Sequence, residues 1–576
     1  MRKLIQKITL ITALAFLFSI STSYASEEEY VRVRIRSPRL FNEQAVLEGY
    51  ENITVYELND NANDLFKLEE SKVTVLLDSY FDDSFNFKEN KDEAVFGPNH
   101  VGLDEIYSSY EEALEKSAAL EENYNFDFYP QLSSEGFKIY GGYFTSDNEA
   151  EDLLDKLINE GYDGEIISTD MENVIVYNED NNVVFMYDNS LDIFFSTYNE
   201  DESSDMIKID NRPFRGLIGF KIIENAKLIS INYVDLESYL YGVVPNEISA
   251  SWGIESLKAQ AVAARTYAVS SINPNASYGY DLEDNQNSQV YRGFISEKES
   301  TSDAVDDTRG EMIYYDDNLI QAFYHSTSGG STENSENVWY DKLPYLVGVE
   351  DEFSNRSGSP YNEWQKSYQK NEIIKKLKDD GNDVTKLYGI EITKVTDNNR
   401  VLECIFLTDN GEIVYKKENA RLLLGLMSSW FTVENGSIFY FTNEFTYDNK
   451  ADSDEKNESS DMDEIPSRGG IIDSIIEEDE AKDEESKTES ILSSGSVLGK
   501  YIMTNSGTKK LNLEKVAVIS AKGVSILETN SSDYNFQGRG WGHGIGMSQY
   551  GAKQMAAEGF TYDEILEHYY TGVIIK

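Results

Sequence analysis

The chain has 576 residues, with 104 Asp and Glu against 50 Lys and Arg, which gives a formal net charge of −54. Affinity for nucleic acid comes from clustered basic residues, so this charge excludes a typical nucleic-acid binder. Hydrophobic residues make up 40% of the chain and aromatic residues 12%, which is enough to form packed cores. The length predicts about three or four domains. The single cysteine, Cys404, excludes an intramolecular disulfide and a multi-cysteine zinc site.

Residues 1–25 have the pattern of a secretory signal peptide. A basic start is followed by an apolar stretch at about residues 8–20, and Ser23, Tyr24 and Ala25 form a small-residue cleavage site. The alternative is an uncleaved membrane anchor, although the apolar stretch is shorter than the roughly 20 residues of a spanning helix. The sequence therefore predicts an extracytoplasmic protein, secreted or associated with the cell wall. Contact with a membrane is expected only through an uncleaved signal segment.

Residues 26–130 form a strand-rich N-terminal region, in which residues 30–36 alternate apolar and basic side chains. Residues 134–170 then show a strand, a helix and a second strand at about 137–145, 148–160 and 161–167. This β-α-β unit resembles a SPOR repeat, a small module that binds glycan strands lacking stem peptides. The alternative is a β-α-β unit without a ligand.

The remaining chain is divided by an acidic segment. Residues 447–496 are dominated by Asp, Glu, Ser and Lys, with one aromatic residue, Tyr447, at the start. This composition is typical of a flexible insertion. The sequence thus predicts one domain made of residues 174–446 and 497–576, with the insertion between its two parts.

Residues 234–268 contain the first chemically informative motif. Pro245, Asn246 and Glu247 lie in a predicted turn between apolar residues, ahead of an Ala-rich helix at residues 255–271. A carboxyl group in such apolar surroundings can be partly desolvated and act as an acid near neutral pH. In a chain with 104 acidic residues, however, an ordinary glutamate in the N-terminal region of a helix is the default interpretation.

Residues 538–553 contain the second motif, Gly-Arg-Gly-Trp-Gly-His-Gly-Ile-Gly-Met-Ser-Gln-Tyr-Gly-Ala-Lys. Five glycines in nine residues predict a tight loop that a ligand can approach closely. No Gly-Lys-Ser/Thr ends the loop, so it does not match a nucleotide-binding fingerprint. Arg539, Trp541 and His543 would suit a sugar, with the Trp ring stacking on a pyranose. A buried structural turn is an equally good interpretation.

A third motif lies between these two, at residues 289–293 and 322–339. The three motifs, in this order, closely resemble those of the SpoIID/LytB family of stage II sporulation protein D and amidase-enhancer proteins. The resemblance covers about residues 174–576, apart from the insertion. It implies an α+β fold: a mixed catalytic domain with a central sheet and a sugar-binding groove, preceded by the SPOR-like module and the strand-rich region.

The resemblance also implies a function. Proteins of this family look like peptidoglycan lytic transglycosylases, which cut the bond between N-acetylmuramic acid and N-acetylglucosamine in peptide-free strands and leave 1,6-anhydro-muramyl ends. The family's catalytic acid/base corresponds to Glu247 here. By motif position, the expected substrate-binding residues are Arg265, Tyr267, His325, Ser326, Ser328, Glu333, Arg539, Trp541, His543, Ser548 and Gln549. His325 and His543 could contact sugar, tune Glu247 or be purely structural.

The expected partners are glycan strands and a cell-wall amidase, with no nucleic acid and no cofactor. Some family members bind zinc near the middle motif, but Ser326 and Ser328 follow His325 here and Cys404 is distant in sequence, so no metal is expected. A site of histidines and carboxylates alone stays open. The main alternative function is a non-catalytic glycan-binding enhancer of an amidase. A structural adhesin would leave all three motifs unexplained. The sequence does not distinguish a sporulation role from cell-wall remodelling in growth.

Overall fold

A computed structural model describes the chain from Glu29 onward, and the described residues form two compact units. The first runs to Ala322 and includes Val573–Lys576, and the second is Phe323–Gly572. The signal peptide predicted at 1–25 and the insertion predicted at 447–496 lie outside the described residues. The described residues are 29–576 except for 37–43, 59–61, 84–85, 89–90, 170–171, 198–205, 224–226, 273–274, 340, 435–437, 442–500, 505–506, 511–515, 521–522 and 528–532.

The first unit is dominated by strands. Its strands are β1 (Tyr30–Ile35), β2 (Gln44–Glu48), β3 (Ile53–Leu58), β4 (Ala62–Leu68), β5 (Lys72–Leu77), β6 (Asn99–Leu103), β7 (Phe128–Ser133), β8 (Gly136–Phe144), β9 (Gly164–Ser168), β10 (Asn173–Tyr177), β11 (Val183–Asp188), β12 (Ile193–Thr197), β13 (Met206–Ile209), β14 (Arg212–Arg215), β15 (Leu217–Ile223), β16 (Lys227–Asp235), β17 (Leu282–Glu283), β18 (Ile313–Tyr315), β19 (Asn318–Leu319) and β33 (Ile574–Ile575). Its helices are α1 (Tyr110–Tyr124), α2 (Asp147–Asn159), α3 (Leu236–Tyr241), α4 (Val244–Glu247), α5 (Ile254–Ser270) and α6 (Glu299–Asp307).

Two large sheets organise this unit. One has the strand order β17-β1-β16-β15-β12-β3-β4, and the other has the order β14-β13-β2-β5-β10-β11-β7-β8-β6-β9. Strand β1 shows why the alternating pattern predicts its place: Val31, Val33 and Ile35 are buried while the residues between them are not. Both sheets contain strands from either side of the boundary predicted between 170 and 174, and a single hydrophobic core includes residues of both.

The β-α-β unit predicted at 134–170 is confirmed as β8, α2 and β9, and it is half of a larger module. Strand β6, helix α1 and strand β7 precede it, and the strand order is β7-β8-β6-β9 with antiparallel pairing. This β-α-β-β-α-β arrangement is the ferredoxin-like topology. Helix α1 starts at the N-cap Ser109, which accepts a hydrogen bond from the N–H of Glu112. The strand-rich N-terminal region thus also contains a helix of 15 residues.

Helix α5 confirms the helix predicted from the Ala-rich sequence. Eleven of its 17 residues are buried, including both polar and apolar side chains. Small alanine side chains let neighbouring elements approach the helix from several directions, so α5 is an interior helix rather than an amphipathic surface helix. Its position brings polar side chains such as Arg265 into the core.

The second unit is built from short sheets and helices. Its strands are β20 (Tyr324–His325), β21 (Trp364–Gln369), β22 (Leu387–Val395), β23 (Val401–Thr408), β24 (Gly411–Lys416), β25 (Phe431–Glu434), β26 (Ile438–Phe441), β27 (Tyr501–Thr504), β28 (Gly507–Lys510), β29 (Val516–Ser520), β30 (Gly523–Leu527), β31 (Asp533–Gly538) and β32 (Met547–Ser548). Its helices are α7 (Ser335–Val338), α8 (Glu352–Arg356), α9 (Lys370–Asp379), α10 (Glu418–Leu424), α11 (Gln549–Ala557) and α12 (Tyr562–Tyr569). The small sheets that matter for the site are β20-β32 and β21-β31-β25.

The predicted α+β class agrees with this mixture of separate sheets and helices. In the part of the chain that the structure describes, no helix is both long enough and apolar enough to cross a membrane.

Candidate functional site

Glu247 ends a one-turn helix rather than lying in the turn predicted from the sequence. Helix α4 spans four residues and contains Pro245 in its first turn, where the fixed φ of proline favours helix initiation. Neighbouring Val243 and Val244 are fully buried, whereas Glu247 is only half-buried. The helix therefore anchors the chain in the core while the carboxylate keeps contact with solvent.

The third motif holds Glu247 in place. The backbone N–H of Val290 donates a hydrogen bond of 2.8 Å to Oε1 of Glu247. The adjacent Gln289 is buried, accepts a hydrogen bond from the Tyr239 hydroxyl at 3.1 Å, and donates one to the carbonyl oxygen of Ala264 on α5 at 3.2 Å. Two of the motifs found in the sequence thus meet at one carboxylate.

Two tyrosines surround this carboxylate. Burial raises the pKa of Tyr239 well above its usual value, and the charges of Tyr291 and Glu247 raise it further. Burial is also the main cause of the raised pKa of Tyr267, which is opposed by a hydrogen bond with Ser271 and reinforced by the charge of Glu247. Both hydroxyl groups therefore stay protonated near neutral pH and lie within electrostatic range of Glu247.

Arg265, predicted from the resemblance to bind substrate, is completely buried. Its Nε and Nη2 donate hydrogen bonds of 2.9 and 2.7 Å to the two carboxylate oxygens of Glu237. Two further hydrogen bonds of 3.1 Å reach the carbonyl oxygens of Val305 and Glu311. A guanidinium group used in this way supports the fold around α5 and is not presented to a ligand.

The Gly-rich loop belongs to the second unit and is shaped by backbone conformation. Gly540, Gly542, Gly544 and Gly546 all have positive φ, between 67° and 107°. Such φ values are strained for residues with a side chain, which explains the alternation of glycine with other residues. A Cβ atom on Gly542 would also lie only 2.7 Å from Cβ of His325, so the loop packs closely against β20.

His325 and His543 occupy this packed region, with ring centroids 5.6 Å apart. Nδ1 of His543 accepts a hydrogen bond from the N–H of Ile545 at 3.0 Å, and its Nε2 lies 3.1 Å from the carbonyl oxygen of Tyr324. This geometry fits a neutral ring with the proton on Nε2. Burial lowers the pKa of His543 to about 3, with the cation of Arg421 adding to the effect.

His325 is neutral for the same reason. Burial lowers its pKa well below the usual value, and the neighbouring His543 and Arg400 lower it further. Its Nδ1 lies 3.1 Å from the carbonyl oxygen of Ile545, while Nε2 is buried without a hydrogen-bond partner among the described residues. These contacts give both histidines a role in the loop structure.

Trp541 and Arg539 are the accessible side chains of the loop. Trp541 is 39% exposed and is held by two backbone hydrogen bonds with Thr327, of 2.8 and 3.0 Å. Its ring meets the ring of Tyr361 at a centroid distance of 4.0 Å in an edge-to-face arrangement. Arg539 donates a hydrogen bond of 3.0 Å to Oδ1 of Asn355, and its guanidinium lies 5.2 Å from the ring centre of Trp430.

A cleft of about 510 Å³ adjoins these side chains on the β21-β31-β25 sheet. It is lined by Glu363, Trp364, Gln365, Trp430, Phe431, Thr432, Gln537, Gly538 and Arg539. The lining combines aromatic rings with amide, hydroxyl, carboxylate and guanidinium groups. A sugar ring also has both apolar and polar surfaces, so this lining is complementary to it.

The other residues predicted for the second unit are mostly internal. Glu333 is buried and accepts hydrogen bonds from the N–H of Asn334 and from Thr396, at 2.8 and 2.6 Å. Ser328 is buried and accepts a hydrogen bond from the N–H of Gly330. Ser548 is the N-cap of α11, Gln549 is buried beside it, and Ser326 is half-buried and lies 3.3 Å from the Thr327 hydroxyl.

Tyr239, Gln289 and Val290 are not among the site residues predicted from the sequence, although Tyr239 lies in the first motif and the other two lie in the third. The sequence could have indicated Gln289, because a long polar side chain that is buried must find hydrogen-bond partners. Val290 gives no such indication, since it acts through its backbone. Within the described ranges, no three or more His, Cys, Asp or Glu side chains are grouped so that they could hold a metal ion.

Comparison with known proteins shows which proteins this chain is similar to. A family profile described as SpoIID, stage II sporulation protein, matches residues 224–315, which include Glu247, Arg265, Tyr267 and Val290. An amidase enhancer of Bacillus subtilis (strain 168) is 28% identical over 405 residues, covering 68% of this chain and 47% of that protein. Stage II sporulation protein D of the same organism is 26% identical over 364 residues, covering 60% of this chain and 76% of that protein.

A protein of Brachyspira hyodysenteriae is 33% identical over 242 residues, covering 41% of this chain and 64% of that protein. The chain thus spans about half of the amidase enhancer and somewhat under two thirds of the Brachyspira protein. The match of residues 224–315 and these relatives agree in pointing to the SpoIID family.

Proposed function

We propose that this protein is an exported peptidoglycan lytic transglycosylase, acting in sporulation or cell-wall remodelling, and that Glu247 is its acid/base. The observation that carries the proposal is the half-buried Glu247 carboxylate, fixed at Oε1 by the N–H of Val290 within the segment that matches the family. Orientation of a carboxylate by a rigid partner is what general acid–base catalysis requires.

In the proposed reaction, protonated Glu247 gives its proton to the glycosidic oxygen as the bond between that oxygen and C1 of the muramyl sugar breaks. The departing strand leaves with a neutral hydroxyl, and positive charge develops at C1. The Glu247 carboxylate then removes the proton from the 6-hydroxyl of the same muramyl sugar, whose oxygen bonds to C1. Glu247 ends protonated, ready for another cycle. The internal nucleophile gains from proximity and replaces the second carboxylate of ordinary glycosidases.

The remaining residues would support this chemistry in different ways. The protonated hydroxyls of Tyr239 and Tyr267 would shape the polar surroundings of Glu247. Arg265 would act from the interior as a positioning residue for α5. Separately, within the second unit, Trp541 and Arg539 would bind sugar rings, together with the cleft on the β21-β31-β25 sheet.

The test is a digest of denuded glycan strands, followed by mass analysis for 1,6-anhydro-muramyl ends. The wild-type protein should produce such ends, and Glu247→Gln should reduce the rate by at least about 100-fold, the scale of general acid–base catalysis. Glu299→Gln is a matched control, because Glu299 is an exposed carboxylate at the start of α6. Wild-type protein that binds the strands but makes no anhydro ends would refute the enzymatic proposal.

A second function is supported by the similarity to the amidase enhancer over 405 residues. In this alternative the protein binds glycan and stimulates a partner N-acetylmuramoyl-L-alanine amidase without cleaving the strand. Peptide release by a purified amidase, measured with and without this protein, tests it directly. Stimulation that persists in Glu247→Gln, with no anhydro ends from the wild type, would favour the enhancer over the enzyme.

We also propose that the ferredoxin-like module β6 to β9 contributes a SPOR-like glycan contact. Hydrogen exchange on the full chain tests this proposal, because bound strands should slow exchange at the amides of the module. Unchanged exchange there, with protection elsewhere, would exclude the contact.

A further inference from the structure

Beside Glu247, the first unit contains a cluster of arginines that the proposed chemistry does not use. Its centre is Asp284, whose buried carboxylate accepts a hydrogen bond of 2.9 Å from the N–H of Arg36. Nε of Arg36 and Nη1 of Arg292 each lie 3.9 Å from a carboxylate oxygen of Asp284. Arg212 also belongs to the group, since its Nη2 donates a hydrogen bond to the carbonyl oxygen of Arg36, and so does Arg34, whose charge acts on the neighbouring Glu283.

This cluster has more positive than negative groups, in contrast to the whole chain. Its four guanidinium groups, Arg34, Arg36, Arg212 and Arg292, share three carboxylates, Asp210, Glu283 and Asp284. Other basic residues near the Glu247 motif are paired individually. Arg215 is held by both oxygens of Glu297 at 2.8 and 2.9 Å, and Lys258 lies 2.9 Å from Asp307.

Arg292 is the member of the cluster that can reach a ligand. Its side chain is 45% exposed, and its Nη1 donates hydrogen bonds to the carbonyl oxygens of Asp284 and Tyr291, at 2.8 and 3.1 Å. These bonds fix the guanidinium plane. Within the part of the chain that the structure describes, its Nε and Nη2 have no hydrogen-bond partner, so two directed donors remain for an anion.

The position of Arg292 links this cation to the candidate catalytic carboxylate. Arg292 is two residues after Val290, whose N–H holds Glu247, and two residues span at most about 7 Å of backbone. The N–H of Arg292 is bonded to the carbonyl oxygen of Gly242, five residues before Glu247. The backbone that carries this cation is therefore tied both to the residue that holds Glu247 and to the segment just before α4.

We propose that Arg292 binds the lactyl carboxylate of a muramyl sugar and is the residue responsible for the preference for strands without stem peptides that the resemblance to the family implies. In intact peptidoglycan this carboxyl carbon is bonded to the peptide nitrogen and carries no charge. Hydrolysis of that amide bond by an amidase adds water, releases the peptide amine and leaves a free carboxylate. A guanidinium group can bind a carboxylate through two parallel hydrogen bonds. This inference rests on the proposed function, because it assumes that glycan strands are the ligand of the Glu247 region.

The test measures binding of the full chain carrying Glu247→Gln, so that no turnover occurs. Three ligands are compared: denuded glycan strands, peptide-bearing strands, and chitin oligosaccharides, which lack the lactyl group. Adding Arg292→Gln should weaken binding to denuded strands by about 10- to 100-fold, the scale of a lost charged hydrogen bond. Binding to the other two ligands should change little, and Arg292→Lys should fall between.

Arg309→Gln is the matched control, because Arg309 is also an exposed arginine, at 57% against 45% for Arg292, and pairs with Asp306 on α6 at 2.7 Å. It should leave all three affinities unchanged. Equal affinity of Arg292→Gln and its parent for denuded strands would overturn the inference, and so would an equal loss for all three ligands. Stronger Arg292-dependent binding of a polyol phosphate polymer than of denuded strands would also overturn it.

The outcomes separate this inference from the proposed function. If the wild type makes anhydro ends while Arg292→Gln binds denuded strands normally, only the carboxylate inference fails. If the strands bind through Arg292 but are never cleaved, the enzymatic proposal fails and the inference stands.

Discussion

The buried pair of Arg265 and Glu237 gives the sharpest test of the structure against the sequence-based prediction. Among the residues that the structure describes, replacing Arg265 with alanine would leave the Glu237 carboxylate with one hydrogen-bond partner, the N–H of Gly310 at 3.2 Å. The Glu237 side chain is only 11% exposed, so water cannot readily replace the lost bonds. Removing one member of a buried ion pair typically costs about 3–5 kcal/mol of folding free energy.

This cost is large against the roughly 5–15 kcal/mol that stabilise a typical domain. The matched control is Arg309→Ala, whose side chain is 57% exposed and whose pair with Asp306 should be worth no more than about 1 kcal/mol. The double variant Glu237→Leu with Arg265→Met removes both charges and should recover most of the lost stability.

Native-state hydrogen exchange at the amides of α5 measures this stability in the first unit, and glycan binding is measured in parallel. We expect Arg265→Ala to lower protection throughout α5 and to lose binding only as far as the unit unfolds. The reasoning would be refuted if Arg265→Ala kept the protection of α5 within about 1 kcal/mol of wild type while losing glycan binding. Arg265 would then contact substrate, as the resemblance to the family predicts.

Three further predictions concern the second unit. Burial lowers the pKa of His543 to about 3 from an ordinary 6.5, so the unfolded chain takes up the proton first and the free energy of unfolding should fall as pH drops from 6.5 towards 3. In urea denaturation between pH 7 and pH 5, His543→Asn should therefore lose up to about 2 kcal/mol less free energy of unfolding than the wild type. Equal losses in the two proteins would refute this prediction. Burial raises the pKa of Cys404 to about 12, so iodoacetamide should label it only after denaturation, and labelling of the native protein at the denatured rate would contradict the burial. Gly551→Ala would place a methyl group against the Tyr569 hydroxyl and the Asp351 carboxylate. It should lower the free energy of unfolding of the unit by about 1–3 kcal/mol in urea denaturation. An unchanged midpoint would show instead that α11 can shift to accommodate the methyl group.

The sequence predicted local structure well where side-chain patterns are strong. Residues 30–36 and the Ala-rich stretch formed the expected strand and helix, because alternation and helix propensity act within short segments. The first half of the ferredoxin-like module was not predicted, although β6 and β7 complete the sheet of the predicted β-α-β unit. Strand order depends on pairing between distant segments, which a single sequence does not record.

The candidate site was predictable only at the level of motifs. The pattern selected Glu247, Trp541 and Arg539, which the structure leaves at least partly accessible. It could not separate these from Arg265 or Glu333, which are buried and bonded inside the protein. A motif records which residues occur together, whereas burial depends on which faces of a helix or loop are covered.

The bond from the backbone of Val290 to Glu247 has a consequence for how this site responds to mutation. The donor is a main-chain N–H, which every residue except proline possesses. Changes of the side chain at position 290 can therefore accumulate without removing the hydrogen bond that orients the carboxylate. Of the substitutions at position 290, only Val290→Pro removes this donor. The orientation of Glu247 should therefore tolerate nearly every other substitution at that position.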